Sequence, residues 1–350
     1  MTDTDILYMQ RCIELARLGA GHVAPNPMVG AVLVHGNRII GEGYHAEYGK
    51  AHAEVNCFNS VTENDRKLVK EAVLYVSLEP CAHFGKTPPC SDLIIQNQVP
   101  KVIIGCRDPF TEVNGRGIEK MENAGIEVIT GVLGKECQEL NRRFFTFVLE
   151  KRPYIILKWA QTADGKIASK GKERLFITNE HTNRLMHRWR SEEAAILVGT
   201  NTALNDDPSL TNRLWTGKHP VRMVLDKQLR LPSDLKIFNK EQRTFVLNEL
   251  KNEQQDNITF QQLSGGESVP AQIAGIAYAN NLQSILVEGG AVLLQSFIDA
   301  GLWDEARVIT NKTLTIGEGL ASPVIERTIT ATEIVGTDEI VYYKNQPKHI

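Results

Sequence analysis

Chemistry is concentrated in the first hundred residues. His52 and Glu54 stand two apart in His52-Ala53-Glu54, and Pro80-Cys81 is followed by Cys90, with eight residues between the cysteines. One neutral imidazole and two thiolates occupy three positions of a tetrahedral zinc ion and leave the fourth to water. Such a centre still lowers the pKa of the water towards about 7. A glutamate two residues after the histidine does not ligate. It carries the water proton to a ring nitrogen and then to a leaving amine. The pattern therefore implies hydrolytic deamination of an amino-substituted ring. A closed structural zinc site with His83 as fourth ligand is the competing reading, but it leaves Glu54 and Pro80 without a role. Cys12, Cys57, Cys106 and Cys137 read as core residues.

These groups need a scaffold that brings them together. Residues 5–18 carry apolar positions at helical spacing (Ile6, Met9, Ile13, Leu15), with Thr4 as the expected N-cap and Gly19 as the stop. Strands are predicted at 29–34, 38–41, 73–78, 102–106 and 126–129, and helices at 52–61, 91–97, 116–124 and 134–149. His52 thus opens a helix, and Cys81 follows a buried strand. After Lys151-Arg152-Pro153 the alternation restarts. Strands are expected at 154–159, 194–198, 221–225, 244–247, 284–288 and 304–309, with helices at 179–190, 270–280 and 291–300. Segment 248–268 is expected to be irregular surface. All six cysteines precede residue 140 and all four tryptophans follow residue 150, so two α/β domains are placed at 1–150 and 151–350.

Composition limits the partners. The 350 residues are 42% hydrophobic and 23% charged, which excludes a wholly disordered chain. The net charge is −3, and neither half is basic: residues 1–150 hold 15 Lys+Arg against 19 Asp+Glu, and the remainder 24 against 23. That argues against nucleic acid as a partner. No apolar run is long enough to span a bilayer. The acidic start lacks the features of a secretory signal, so a cytoplasmic protein is expected. The second half has no G-x-G-x-x-G after a strand. Its best local signal is Leu286-Val287-Glu288-Gly289-Gly290, a strand turning into a helix, which suits either a phosphate or a bare tight turn. Asn205-Asp206-Asp207-Pro208 reads equally as a turn.

Taken together, several stretches resemble one family. In the first half they are Ala24-Pro25-Asn26-Pro27-Met28-Val29-Gly30-Ala31, Gly41-Glu42-Gly43-Tyr44-His45, His52-Ala53-Glu54, Leu78-Glu79-Pro80-Cys81-Ala82-His83, Gly85-Lys86-Thr87-Pro88-Pro89-Cys90 and Asp108-Pro109-Phe110. In the second half they include Leu157-Lys158-Trp159-Ala160, Asp164-Gly165-Lys166-Ile167-Ala168, Asp206-Asp207-Pro208-Ser209-Leu210-Thr211 and Val287-Glu288-Gly289-Gly290. The chain resembles the bifunctional deaminase/reductases of riboflavin biosynthesis. The eight-residue insert between the cysteines is that family's form of the zinc loop.

The resemblance implies a cytidine-deaminase-like three-layer α/β domain followed by a dihydrofolate-reductase-like α/β domain. It implies zinc on His52, Cys81 and Cys90, with Glu54 as proton shuttle. The implied substrate is 2,5-diamino-6-ribosylamino-4(3H)-pyrimidinone 5′-phosphate, contacted by Asn26, His45 and Lys86. It implies NADPH held by Ala160, Phe176, Thr202, Asp206 and the turn Gly290, Ala291, Val292, Leu293, Leu294, Gln295 and Ser296. Lys158, Arg174, Arg190, Leu210, Arg213 and Glu288 would meet the second substrate, whose ribosyl chain is reduced to ribityl. Lys158 or Glu288 would polarise or protonate the ribose oxygen. A homodimer or homotetramer is implied as well. Two departures stand out: Thr162-Ala163-Asp164-Gly165 replaces Ser-Leu-Asp-Gly, and Arg174 and Phe176 replace a serine and a tryptophan. Other readings are a deaminase whose second domain only binds or assembles, and an RNA-editing deaminase, which the charge count disfavours.

Overall fold

The computed structural model describes residues 2–82, 88–110, 113–171 and 175–345. The chain divides into two compact units, Met1–Lys151 and Arg152–Ile350. Among the described residues no helix is long and apolar enough to cross a membrane.

The first unit runs α1 (Asp3–Arg17), β1 (Gly30–His35), β2 (Arg38–Tyr44), α2 (Ala53–Ser60), β3 (Val73–Leu78), α3 (Cys90–Gln96), β4 (Lys101–Cys106), α4 (Arg116–Asn123), β5 (Glu127–Thr130), α5 (Gly134–Leu140) and α6 (Arg142–Leu149). Its sheet has the order β2-β1-β3-β4-β5. β1 is antiparallel to both β2 and β3, while β3, β4 and β5 are parallel. Strand side chains alternate between faces. Ala31, Leu33, Leu74, Val76, Val102 and Ile104 pack with α2, α3 and α4. Val32, Val34, Tyr75 and Ile103 pack with α1 and α5. Three layers result. Cys12, Cys57, Cys106 and Cys137 are buried in these two cores, as their neighbours in sequence suggested.

Two boundaries differ from the sequence reading. The N-cap of α1 is Thr2, not Thr4: its hydroxyl accepts the Asp5 N–H while the Asp5 carboxylate accepts the Thr2 N–H. This reciprocal pair satisfies more helix-end donors than Thr4 alone would. The helix expected over 134–149 is broken at Asn141. The Asn141 side chain is buried and bonds both the N–H (2.7 Å) and the C=O (2.8 Å) of Met28.

Glu79 ties the end of β3 to α4. Its buried carboxylate accepts the N–H groups of Asp108 (3.3 Å), Gly115 (3.1 Å), Gly117 (3.1 Å) and Ile118 (3.5 Å). The negative charge also sits at the positive end of that helix.

The second unit runs β6 (Tyr154–Thr162), β7 (Lys166–Ser169), α7 (Glu180–Glu192), β8 (Ala195–Gly199), α8 (Thr200–Asp206), β9 (Val221–Leu225), β10 (Thr244–Asn248), β11 (Glu253–Gln255), β12 (Ile258–Gln262), α9 (Val269–Ala279), β13 (Ser284–Gly289), α10 (Ala291–Asp299), β14 (Glu305–Asn311), β15 (Gly319–Ala321), β16 (Ile329–Val335) and β17 (Asp338–Lys344). Ten strands form one sheet, β11-β12-β10-β9-β8-β13-β6-β14-β17-β16, and β7 pairs with β15. From β12 to β14 all neighbours are parallel; β11, β17 and β16 are antiparallel additions. One face packs on α9 and α10. The other carries α7 at one side and α8 at the other.

The segment 248–268 is therefore not irregular throughout: Glu253–Gln255 and Ile258–Gln262 form a short hairpin on the sheet edge. Its polar side chains hid the pairing, because an edge strand has little to bury. β16 escaped for the same reason, since nearly all of it is exposed; β17 lies inside the sheet with Ile340 fully buried, and its alternation was passed over.

Replacing Glu79 with Ala would leave four N–H groups without their acceptor. The expected cost is about 3 kcal/mol, read as an earlier urea midpoint for the first unit. An unchanged midpoint would refute this role.

Two candidate active sites

The first site gathers at one edge of the three-layer unit. Gly43 lets α2 lie against β2, because a Cβ there would fall 2.4 Å from the Cys57 nitrogen. That contact fixes the start of α2. His52 is its N-cap residue, and Glu54, its second residue, is buried. Cys90 is the first residue of α3, and its N–H donates to the Cys81 sulfur at 3.3 Å. His52 Nδ1 lies 3.7 Å from Cys81 Sγ and 3.3 Å from Cys90 Sγ. These are the only described residues whose ligand atoms converge as a metal-binding group, all within 4.8 Å of one another. The donor set, one imidazole and two thiols, fits zinc. The Cys90 thiol and His52 beside it favour the Cys81 thiolate and lower its pKa. Burial, reinforced by Cys81, raises the pKa of Glu54.

His45 is buried beside His52, their rings edge to face at 5.3 Å. Its Nδ1 meets the Ala51 carbonyl at 3.0 Å, which requires a hydrogen there. Nε2 is then the acceptor for the Asn26 amide at 3.2 Å. Asn26, His45, His52 and Glu54 thus share one region. Lys86 and His83 lie outside the described residues.

The second site is a cavity of about 1060 Å³ in the second unit. It is lined by residues that follow or end β6, β8, β9 and β13, the side of a parallel sheet where ligands bind. Lys158 follows Tyr154 and Ile156 on the sheet face that packs on α7, and Glu288 follows Leu286 on the same face. Leu286 is registered with Ile156, so the two charged residues come next to each other. Lys158 Nζ lies 3.5 Å from the Glu288 carboxylate. The Arg190 guanidinium from α7 grips the same carboxylate with two bonds of 2.7 Å. The Glu288 side chain is only 6% exposed. Burial pushes its pKa up, but Arg190 and Lys158 outweigh that and hold it at about 2. Burial lowers the pKa of Lys158, partly offset by Glu288.

Ala160, Phe176, Thr202, Asp206, Leu210, Arg213, Gly290, Ala291, Val292, Leu293, Leu294 and Ser296 all line this cavity. Gln295 does not; its side chain bonds Asp299 and the Val324 N–H. Arg174 lies outside the described residues. Phe176 is 77% exposed at the rim. Gly289 faces Thr202 so closely that a Cβ would come within 2.8 Å, and Gly290 has φ +83°. The departure Thr162 retains a hydroxyl that donates to Asp164 at 2.6 Å. The sequence reading passed over Glu79 and His187. Glu79 was signalled by a charge ending an apolar strand. His187 was signalled by its spacing of three from Arg190 on one helix.

Known proteins match both units. The model of the cytidine and deoxycytidylate deaminase zinc-binding region matches residues 2–106, and that of the RibD C-terminal domain matches 153–331. The riboflavin biosynthesis protein RibD of Aquifex aeolicus is 39% identical over 98% of this chain and 99% of its own. That of Escherichia coli K12 is 33% identical over 86% of each chain. Among solved structures, the Thermotoga maritima diaminohydroxyphosphoribosylaminopyrimidine deaminase/5-amino-6-(5-phosphoribosylamino)uracil reductase superposes with a TM-score of 0.88 at 37% identity, covering 97% of this chain and 98% of that one. The two units accordingly carry the deaminase-like and the dihydrofolate-reductase-like fold. The chain belongs to the RibD family of riboflavin biosynthesis proteins, which joins a zinc-binding deaminase and a reductase in one polypeptide.

Proposed function

We propose that this chain deaminates 2,5-diamino-6-ribosylamino-4(3H)-pyrimidinone 5′-phosphate in its first unit and reduces the ribosyl chain of the product in its second, with NADPH. The observation that carries the first step is the convergence of His52, Cys81 and Cys90 beside the buried Glu54. His52, Cys81 and Cys90 would hold zinc, which when bound supplies Lewis-acid activation of water. Glu54 takes a proton on its carboxylate and returns it to the departing amine, which leaves as ammonia. Asn26 and His45 orient the ring.

In the second unit, Thr202, Asp206 and the Gly290–Ser296 turn would hold NADPH, which when bound supplies the hydride. The open-chain ribosyl carbonyl carbon receives that hydride, and its oxygen needs one proton. Lys158 donates it. Glu288 is held as a charged carboxylate by two cations, so it orients Lys158 and has no proton to give. Arg190 is committed to Glu288 by both of its short bonds. Its part is to fix that carboxylate; Arg213 is the guanidinium for the substrate phosphate.

In wild-type protein, the diaminopyrimidine as sole substrate drives NADPH oxidation. Glu54→Gln should retain zinc by elemental analysis and lose ammonia release by about 10²–10⁴-fold. NADPH oxidation then vanishes and returns with pre-deaminated substrate. No oxidation with either substrate in zinc-loaded wild type would sink the reductase half.

Reduction depends on protonated Lys158, so its rate falls as pH rises through the Lys158 pKa. That limb should lie below about 10.4, the ordinary lysine value. Lys158→Arg should remove the limb and Lys158→Met should lower kcat by about 10²-fold. A pH profile with the same limb in Lys158→Arg would assign the proton to another group.

A further inference from the structure

Segment 210–213 runs along the rim of the reductase cavity outside any helix or strand. Its backbone donors must therefore find partners elsewhere. Two consecutive N–H groups go to imidazoles: that of Asn212 donates to His219 Nδ1 at 3.1 Å, and that of Arg213 to His187 Nδ1 at 2.9 Å. The carbonyl and hydroxyl of Thr211 accept from Arg190 (3.5 Å) and Arg213 (3.3 Å). Leu210, at φ +52°, begins the segment with its side chain buried.

His187 is the inner of the two imidazoles, 2% exposed and lining the cavity on the face of α7 that also presents Asn183, Met186 and Arg190. An N–H aimed at Nδ1 requires that nitrogen to be bare, so the neutral ring carries its hydrogen on Nε2. Burial, with Arg190 and Arg213 nearby, pushes the pKa of His187 down to about 4, so the ring stays neutral at neutral pH.

We propose that His187 is a positioning residue for the reduction: its Nδ1 anchors the Arg213 backbone and so holds the Arg213 guanidinium at the rim, where an anionic group of the substrate binds. The inference rests on the reductase reading above. It assigns His187 to substrate affinity and leaves the proton to Lys158.

Three variants separate the two ring nitrogens. Asparagine at this position keeps an acceptor near the place of Nδ1, glutamine keeps a donor near the place of Nε2, and leucine keeps neither. Retained NADPH binding checks that the second unit of each variant is folded. His187→Leu and His187→Gln should raise KM for the pre-deaminated substrate at least about tenfold, with kcat within about threefold. NADPH Kd, read by tryptophan fluorescence, should stay within about twofold in all three. His187→Asn should restore most of the KM. Deuterium exchange in the peptide spanning 210–213 should quicken in His187→Leu and His187→Gln and recover in His187→Asn. An unchanged KM in His187→Leu, rescue by Gln and not Asn, or an equal loss of NADPH affinity overturns the proposal. If His187→Leu does not fold, the Asn–Gln comparison decides it. A wild-type protein that never oxidises NADPH overturns the reductase reading and the substrate role together. Unaltered exchange in His187→Leu overturns the anchoring by itself.

Discussion

A carboxylate removed from water must find compensation, and its charged form costs several kcal/mol without it. Three buried glutamates meet this constraint in three ways, and each outcome defines a part of the protein. Glu79 is surrounded by backbone N–H groups and becomes a fixed joint between β3 and α4. Glu288 is gripped by Arg190 and Lys158 and becomes a permanent negative charge. Glu54 has no described arginine or lysine bonded to it, and burial, reinforced by Cys81, raises its pKa. That is what the proposed proton shuttle requires. The chemistry of each group follows from what the fold places around it more than from its residue type.

Much of this was legible in the chain. His52, Glu54, Cys81 and Cys90 carry a spacing that few other functions need, and the alternating strands that position them bury nearly continuous apolar runs. The second site was less legible because its partners come from distant elements. Lys158 and Glu288 are 130 positions apart and meet only because β6 and β13 pair in a particular register. Nothing local announces that pairing. The Arg190 bond to Glu288 was hidden for the same reason: its carboxylate partner lies 98 positions away. Polar strands at or beside the sheet edges were lost to the sequence reading because hydrophobic periodicity reports burial, and β11, β12 and β16 bury little.

The two units solve a shared problem with different sheets. In the first, the ligands come from the start of α2, the turn after β3 and the start of α3, where the Cys90 N–H favours the Cys81 thiolate. In the second, the ends of parallel strands open into a wide cavity lined by the Lys158, Arg190 and Glu288 cluster and by the Gly289-Gly290 turn. A small reacting centre suits the former. The proposed dinucleotide and sugar phosphate would need the room of the latter.

The order of strands in the second sheet carries a consequence for synthesis. β13, from residue 284, lies between β6 and β8, and β14 closes on the far side of β6. The centre of that sheet cannot be completed until most of the chain has left the ribosome. The first sheet is complete by Thr130. The deaminase unit can therefore mature while the reductase unit still shows unpaired parallel edges, the arrangement that folds slowly and is most exposed to misassociation. A folded neighbour upstream would accompany that vulnerable interval in every molecule made.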